Sequence, residues 1–198
     1  MLIRRSLVAL IAVALLMTSL PGCILDPKET VEEQKKEPVE WPDRTDIEDC
    51  IEIIDLVYNR EKDVEKYKEV LLKPSQDDSD PLSDGFYWWN QKEDVDEGRI
   101  EEFWGYSVEW MSTAGLLQHE QGMSLDMFPG TWESISDFRG GPCEDCWETI
   151  RSYYLDVKLD NGMNYIGDFF VKFVVGPDPD NPDRYVIYQM EDLRKGVQ

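Results

Sequence analysis

His119 is the only histidine in 198 residues, so any imidazole chemistry must run through it. A His–Asp dyad would use it as a general base, and a zinc site would need further ligands close by. It stands in Gln118-His119-Glu120-Gln121, a polar stretch between two apolar patterns, where a solvated connection is the plainer expectation. Cys143 and Cys146 enclose Glu144-Asp145 at C-x-x-C spacing. Redox catalysis wants a depressed thiol pKa, and two neighbouring acids push it the other way. A small-loop disulfide between Cys143 and Cys146 is expected, with free thiols, a redox role or a metal role as the alternatives. Cys50 falls on the apolar side of a helical pattern and reads as a buried free thiol. Two acidic runs, Asp77-Asp78-Ser79-Asp80 and Asp178-Pro179-Asp180-Asn181-Pro182-Asp183, could offer oxygens to Ca²⁺. Neither has the EF-hand order, so solvated turns are expected, with no metal and no cofactor.

Cys23 has a different chemistry. Arg4 and Arg5 precede an unbroken apolar run over residues 7–17. Eleven residues are too few to span a bilayer, which needs about 20, but they suit the core of an export signal. Leu20-Pro21-Gly22-Cys23 follows and resembles the bacterial lipobox, with Pro21 a departure from its commoner residues. The resemblance implies cleavage before Cys23 and acylation of its thiol and new N-terminus. More than one acyl chain anchors stably. The alternative is an ordinary secretory signal.

These groups need elements to hold them. Residues 1–22 read as signal peptide and 23–45 as the lipidated cysteine and a disordered tether, broken by Pro27, Pro38 and Pro42. Residues 46–198 read as a single domain. Thr45 and Glu48 suggest a capping box, and Ile47, Cys50, Ile51, Ile54, Val57 and Tyr58 follow helical spacing for about 14 residues. A break at Asn59-Arg60 leads to a short helix carrying Val64, Tyr67, Val70 and Leu71. Phe86-Tyr87-Trp88-Trp89 predicts a buried strand. Residues 100–117 predict a third helix whose wide apolar face includes Phe103, Trp104, Val108, Trp110 and Met111. Met123, Leu125 and Met127 alternate as a half-buried strand does. Residues 130–144 read as loop. Two long strands follow, over 147–159 and 165–175, turned at Asp160-Asn161-Gly162. A loop over 176–183 and a last strand over 185–190 complete the chain.

Two helices, a strand, a third helix and an antiparallel meander form the order of the nuclear-transport-factor-2-like, cystatin-like or SnoaL-like cone domains. Val57-Tyr58-Asn59-Arg60-Glu61-Lys62-Asp63 with Tyr67 and Leu71-Leu72, Trp110 at the third helix, and Tyr185-Val186-Ile187-Tyr188-Gln189-Met190-Glu191-Asp192 at the end are similar to that family over about residues 45–195. The resemblance implies an α+β fold in which a curved antiparallel sheet wraps around three N-terminal helices and leaves a hollow. Ketosteroid-isomerase chemistry needs a carboxylate base and an oxyanion hole of Tyr and protonated Asp. Here Ile54 stands where the tyrosine would be, and Trp89-Asn90 where the base would be. Only Asp168 falls near the place of the oxyanion-hole acid. Asp168 and His119 are therefore weak catalytic candidates, and for Asp168 an exposed strand position opposite Phe169 and Val171 is the plainer expectation. Tyr58, Tyr87, Trp89, Trp104, Asp168 and Phe170 are the candidate lining of the hollow.

Composition bounds the function. Twenty basic against 42 acidic residues give a net charge of −22, which excludes a basic nucleic-acid footprint. At 41% hydrophobic and 12% aromatic the chain is too apolar for a wholly disordered acidic protein. The expectation is a lipid-anchored protein of the bacterial cell envelope (on the outer membrane in a diderm). Its domain, without catalysis, would bind a small molecule or an envelope protein. A SnoaL-like isomerase, cyclase or hydratase and a calcium-dependent surface protein are the alternatives. Dimers are common on this fold, and the sequence leaves a homodimer open.

Overall fold

The computed structural model describes residues 38–75, 84–98 and 101–193. The signal segment, Cys23, the tether to residue 37 and the acidic run of Asp77, Asp78 and Asp80 lie outside the described residues. The folded unit starts at Val39, ahead of the boundary expected at residue 46. Trp41 packs on the core. The buried Arg44 donates to the Glu69 carbonyl at 2.5 Å, and its own carbonyl accepts from Tyr185 N.

The first helix, α1, spans Ile47–Leu56. Its cap is Asp46 rather than Thr45. Asp46 accepts from Glu48 N at 2.9 Å, and Asp49 returns the box by accepting from Asp46 N at 3.1 Å. Two acids here also meet the positive end of the helix dipole. The expected break at Asn59-Arg60 is instead a π-helical turn, Val57–Glu61, closed by Lys62 at φ 56°. Asn59 explains the difference. Its amide donates to the Leu125 carbonyl and accepts from Leu125 N, both at 2.7 Å, and so docks the turn onto a strand. The second helix, α2, is Val64–Val70, capped by Asp63.

Strand β1, Tyr87–Trp89, is followed by a short helix, α3, Lys92–Asp96. Phe103–Gly105 is strand β2, and the long helix α4 begins only at Tyr106 and ends at His119. Residues 103–105 leave the expected helix because they pair with β1, bringing Trp104 opposite Trp88 with the rings stacked at 6.2 Å. The apolar face expected on this helix is also corrected. Val108 and Met111 are exposed, while Glu109 and Thr113 are buried.

Strands β3 (Glu120–Met127), β4 (Glu133–Phe138), β5 (Gly141–Leu159), β6 (Asn164–Asp178) and β7 (Asn181–Leu193) complete one seven-stranded sheet. Its order is β2-β1-β7-β6-β5-β3, with β4 also on β5. Residues 130–144 are therefore not all loop. β4 hairpins into β5 through Arg139-Gly140, and Gly141, the first residue of β5, takes φ 134°, a conformation that favours glycine. The expected loop over 176–183 shrinks to Pro179-Asp180 between paired strands. The sheet is mixed rather than antiparallel throughout, since β1 runs parallel to β7.

The helices cover one face of the curved sheet. Ile51, Ile54 and Val57 from α1 and its π turn share a core with Val171, Phe173 and Ile187 from the sheet. Each such side chain contributes roughly 1.5–3 kcal/mol on burial. The result is the α+β arrangement expected, a sheet wrapped around its helices.

Candidate functional site

Between helices and sheet lies a hollow of about 160 Å³. Ile54 and Tyr58 reach it from α1 and the π turn, Tyr67 from α2, and Leu116 from α4. Leu125, Met127, Tyr153, Val171, Phe173 and Met190 form the strand side, with Trp88 from β1.

Strand alternation decides which candidates face it. Trp88 lines the hollow, so Tyr87 and Trp89 point to the other face, where Tyr87 stacks on Trp89 at 6.0 Å. Val171 and Phe173 line the hollow, so Asp168 and Phe170 take the other face too, and Asp168 is exposed opposite Tyr154. His119 is exposed at the end of α4, its Nδ1 2.9 Å from Asp160 on the β5–β6 turn. Of the six lining candidates only Tyr58 faces the hollow. Trp104 stands one layer back, and Tyr87, Trp89, Asp168 and Phe170 do not belong. Asp168 and His119 are not brought together there.

Behind the hollow sits Glu109, 5% exposed. Its Oε1 accepts from the Tyr67 hydroxyl at 2.5 Å and from Thr113 at 3.4 Å, and its Oε2 accepts from Trp104 Nε1 at 2.9 Å. Three donors on one carboxyl fit the ionised form, which has no proton of its own to place. The order then propagates. Thr113 gives its proton to Glu109, so the Tyr58 hydroxyl, 3.3 Å from Thr113 Oγ1, gives its proton to Thr113. Burial pushes the Glu109 carboxyl up against the pull of its donors. Burial, with Glu109 beside it, pushes the Tyr58 hydroxyl up to about 12.

Asp192 is the second acid on this side of the sheet. It pairs across β7 and β6 with Val171, and Met190, two residues back on the same face, lines the hollow. Its Oδ2 accepts from Gln91 Nε2 at 3.1 Å. Its Oδ1 is buried without a hydrogen-bond partner among the described residues. Burial raises its pKa, Gln91 lowers it, the Asp94 charge raises it again, and the Leu193 backbone N–H lowers it. Nearby, burial raises the Tyr153 hydroxyl, with Asp192 the first of the charges that add to this.

Tyr153 lines the hollow, Glu109 stands behind it, and Asp192 lines a separate cavity of about 580 Å³ with Gln91 and Glu191; the candidates drawn from the sequence include none of the three. A carboxyl inside the third helical pattern was the only available signal for Glu109, and the acid ending the last strand the only one for Asp192.

Cys143 and Cys146 are joined in a disulfide at the start of β5, both buried, with Asp145 between them at φ 55°. Cys50 is a buried free thiol whose Sγ donates to the Tyr185 carbonyl. Burial pushes that thiol up to about 12. Among the described residues no three His, Cys, Asp or Glu side chains converge as a metal site. Asp178, from the second acidic run, lies 3.5 Å from the Arg44 guanidinium.

No protein-family model matches the chain, and no curated protein matches it. Among solved structures it is similar to an NTF2-like family protein from Streptomyces avermitilis, at 11% identity and TM-score 0.49 over 74% of this chain and 93% of that one. It is also similar to the Kfla4162 protein from Kribbella flavida, at 9% identity and TM-score 0.47 over 76% of this chain and 88% of that one. AusH from Aspergillus nidulans follows at 7% identity and TM-score 0.43, over 75% and 82%. At these identities no residue of theirs is carried over to this chain.

Proposed function

We propose that the chain is a lipid-anchored protein of the bacterial cell envelope whose domain takes up a small apolar ligand in the hollow without reacting with it. The observation that supports this reading is where the protons go. The hollow is walled by aliphatic and aromatic side chains, and the hydroxyl protons of Tyr58 and Tyr67 are drawn away from it into the Glu109 network. Stabilising an oxyanion requires donors aimed at the reacting atom, and these two are committed elsewhere. The size limits the ligand. A cavity of about 150 Å³ lined by apolar side chains takes benzene, so a body of about one ring fits here.

Mass spectrometry of small molecules released from the purified full chain tests the reading. A ring-sized apolar compound is expected, and added toluene should change the fluorescence of Trp88. A folded chain that releases none and ignores toluene would sink it. For the anchor, labelled palmitate should enter the protein, and Cys23→Ser should move it out of the membrane fraction. Failure of both overturns the anchoring.

One observation favours a second reading, an isomerase, cyclase or hydratase working beside the hollow. Asp192 lines the larger cavity and keeps one oxygen without a hydrogen-bond partner among the described residues, two residues along β7 from Met190 of the hollow. Such an enzyme would use Asp192, not Asp168 or His119. Conversion of the released compound by the wild type, and not by Asp192→Asn, would establish it.

A further inference from the structure

Resting on the reading of the hollow as an apolar binding site, we propose that its ligand is a neutral, ring-sized carbonyl compound whose oxygen accepts from the Tyr153 hydroxyl. Only the side chains that wall the hollow can meet a ligand there. Most are aliphatic side chains, methionine or phenylalanine, and those with an O–H or N–H are Tyr58, Tyr67, Trp88 and Tyr153. Tyr58 gives its proton to Thr113 and Tyr67 gives its own to Glu109. The Tyr153 hydroxyl and Trp88 Nε1 make no hydrogen bond among the described residues, and both keep accessible surface. Arg151 Nε, Thr149 Oγ1 and Asp192 Oδ1, also bare on this side of the sheet, are sealed off and belong to residues outside the wall.

What the wall leaves over is donors. An indole N–H can only donate. A phenol gives its proton more readily than its oxygen accepts one, because that oxygen shares a lone pair with the ring. Tyr153 stands between Met127 on β3 and Phe169 on β6, and its ring stacks on Phe169 at 5.3 Å, which holds the plane of the ring. Burial first, then Asp192, Tyr58 and Glu109, hold the hydroxyl above its ordinary 10, so it carries its proton at neutral pH. The same two acids, on a chain whose net charge is −22, disfavour an anion beside it. A neutral carbonyl oxygen meets no such repulsion. No carboxylate, imidazole, amine or thiol belongs to the wall among the described residues, so a carbonyl is held there with no base to take its proton.

Calorimetric titration of the full chain with cyclohexanone, toluene, cyclohexylamine and cyclohexanecarboxylate at neutral pH tests this. It is run on the wild type and on Tyr153→Phe, with circular dichroism to confirm that both are folded. Tyr153→Phe keeps the ring and removes only the hydroxyl. Cyclohexanone should bind the variant about tenfold more weakly than the wild type, as when a buried acceptor loses its donor. Toluene should bind both alike. The infrared carbonyl stretch of bound cyclohexanone should lie lower in the wild type than in Tyr153→Phe, as it does for a hydrogen-bonded carbonyl. A ketone affinity that survives in Tyr153→Phe, or an unchanged stretch, overturns the proposal, and toluene binding would then leave the apolar hollow standing. Cyclohexylamine or the carboxylate bound as tightly as the ketone overturns the neutral acceptor. A folded wild type that binds neither cyclohexanone nor toluene overturns the reading of the hollow as well.

Discussion

One cross-strand row carries two opposite treatments of charge. Val171 on β6 has Arg151 on one side and Asp192 on the other. Arg151 is 4% exposed, and Glu48 meets it with both carboxyl oxygens while Trp132 donates to the same carboxylate. Asp192 has Gln91 on one oxygen and no hydrogen-bond partner on the other among the described residues, while Arg151 keeps only its Nε without one. Glu109, across the hollow on α4, is answered more fully than either, since each of its oxygens is occupied. A buried charge that holds the fold together is answered by the fold. Asp192, only partly buried, is answered less completely, and it lines a cavity whose wall also carries Asp96, Glu102 and Glu191.

The contrast breaks first at Glu109. Glu109→Ala leaves the Tyr67 hydroxyl and Trp104 indole buried without their acceptor, and should cost about 3–4 kcal/mol in urea unfolding. A loss under about 1 kcal/mol would mean that the network is not structural. Glu48→Ala comes next. It strands the Arg151 guanidinium, and breaking a buried pair costs about 3–5 kcal/mol. Because the Glu48 side chain is half exposed, water screens part of that, and about 2 kcal/mol is expected. The pH dependence has a definite sign. The hydrogen bond from Arg151 holds the Glu48 carboxyl below its ordinary 4.5. Its contribution is therefore full above 4.5 and is lost as pH falls through the depressed value. Glu48→Gln should flatten the acid limb of the stability curve, and an unchanged limb would count against the pair. Tyr58→Phe removes a single bond to Thr113 and should cost about 1 kcal/mol.

The sequence shows much of this frame and little of the site. The meander is legible because Phe169, Val171 and Phe173 alternate and Asn161-Gly162 supplies the turn, and that same alternation places Asp168 and Phe170 on the far face. β1 gives no such clue. Tyr87, Trp88 and Trp89 are all aromatic, so the face each takes depends on pairing with β2 and β7, which lie far away in sequence. β4 is obscured because only Ile135 and Phe138 are apolar in its six residues. Glu109 is the hardest. A glutamate in a helix ordinarily reads as solvated, and what buries this one is Tyr67 on another helix and Trp104 drawn into a strand.

Asp192→Asn should have the smallest effect on stability. Burial raises the Asp192 carboxyl above its ordinary 3.8. For an acid raised on folding, the native state holds its proton more tightly than the unfolded chain does. That stabilising contribution is complete below 3.8 and is lost as pH rises through the raised value. Asparagine keeps the shape and has no proton to lose. The variant should match the wild type near pH 3.5 and exceed it by less than about 1 kcal/mol at pH 7, read from urea midpoints at the two values. Glu109 is also raised, so its share of the slope persists in the variant and the difference curve isolates Asp192. A variant less stable than the wild type at pH 7 would show that the fold answers this carboxylate as it answers Arg151. The two ends of the row would then be alike.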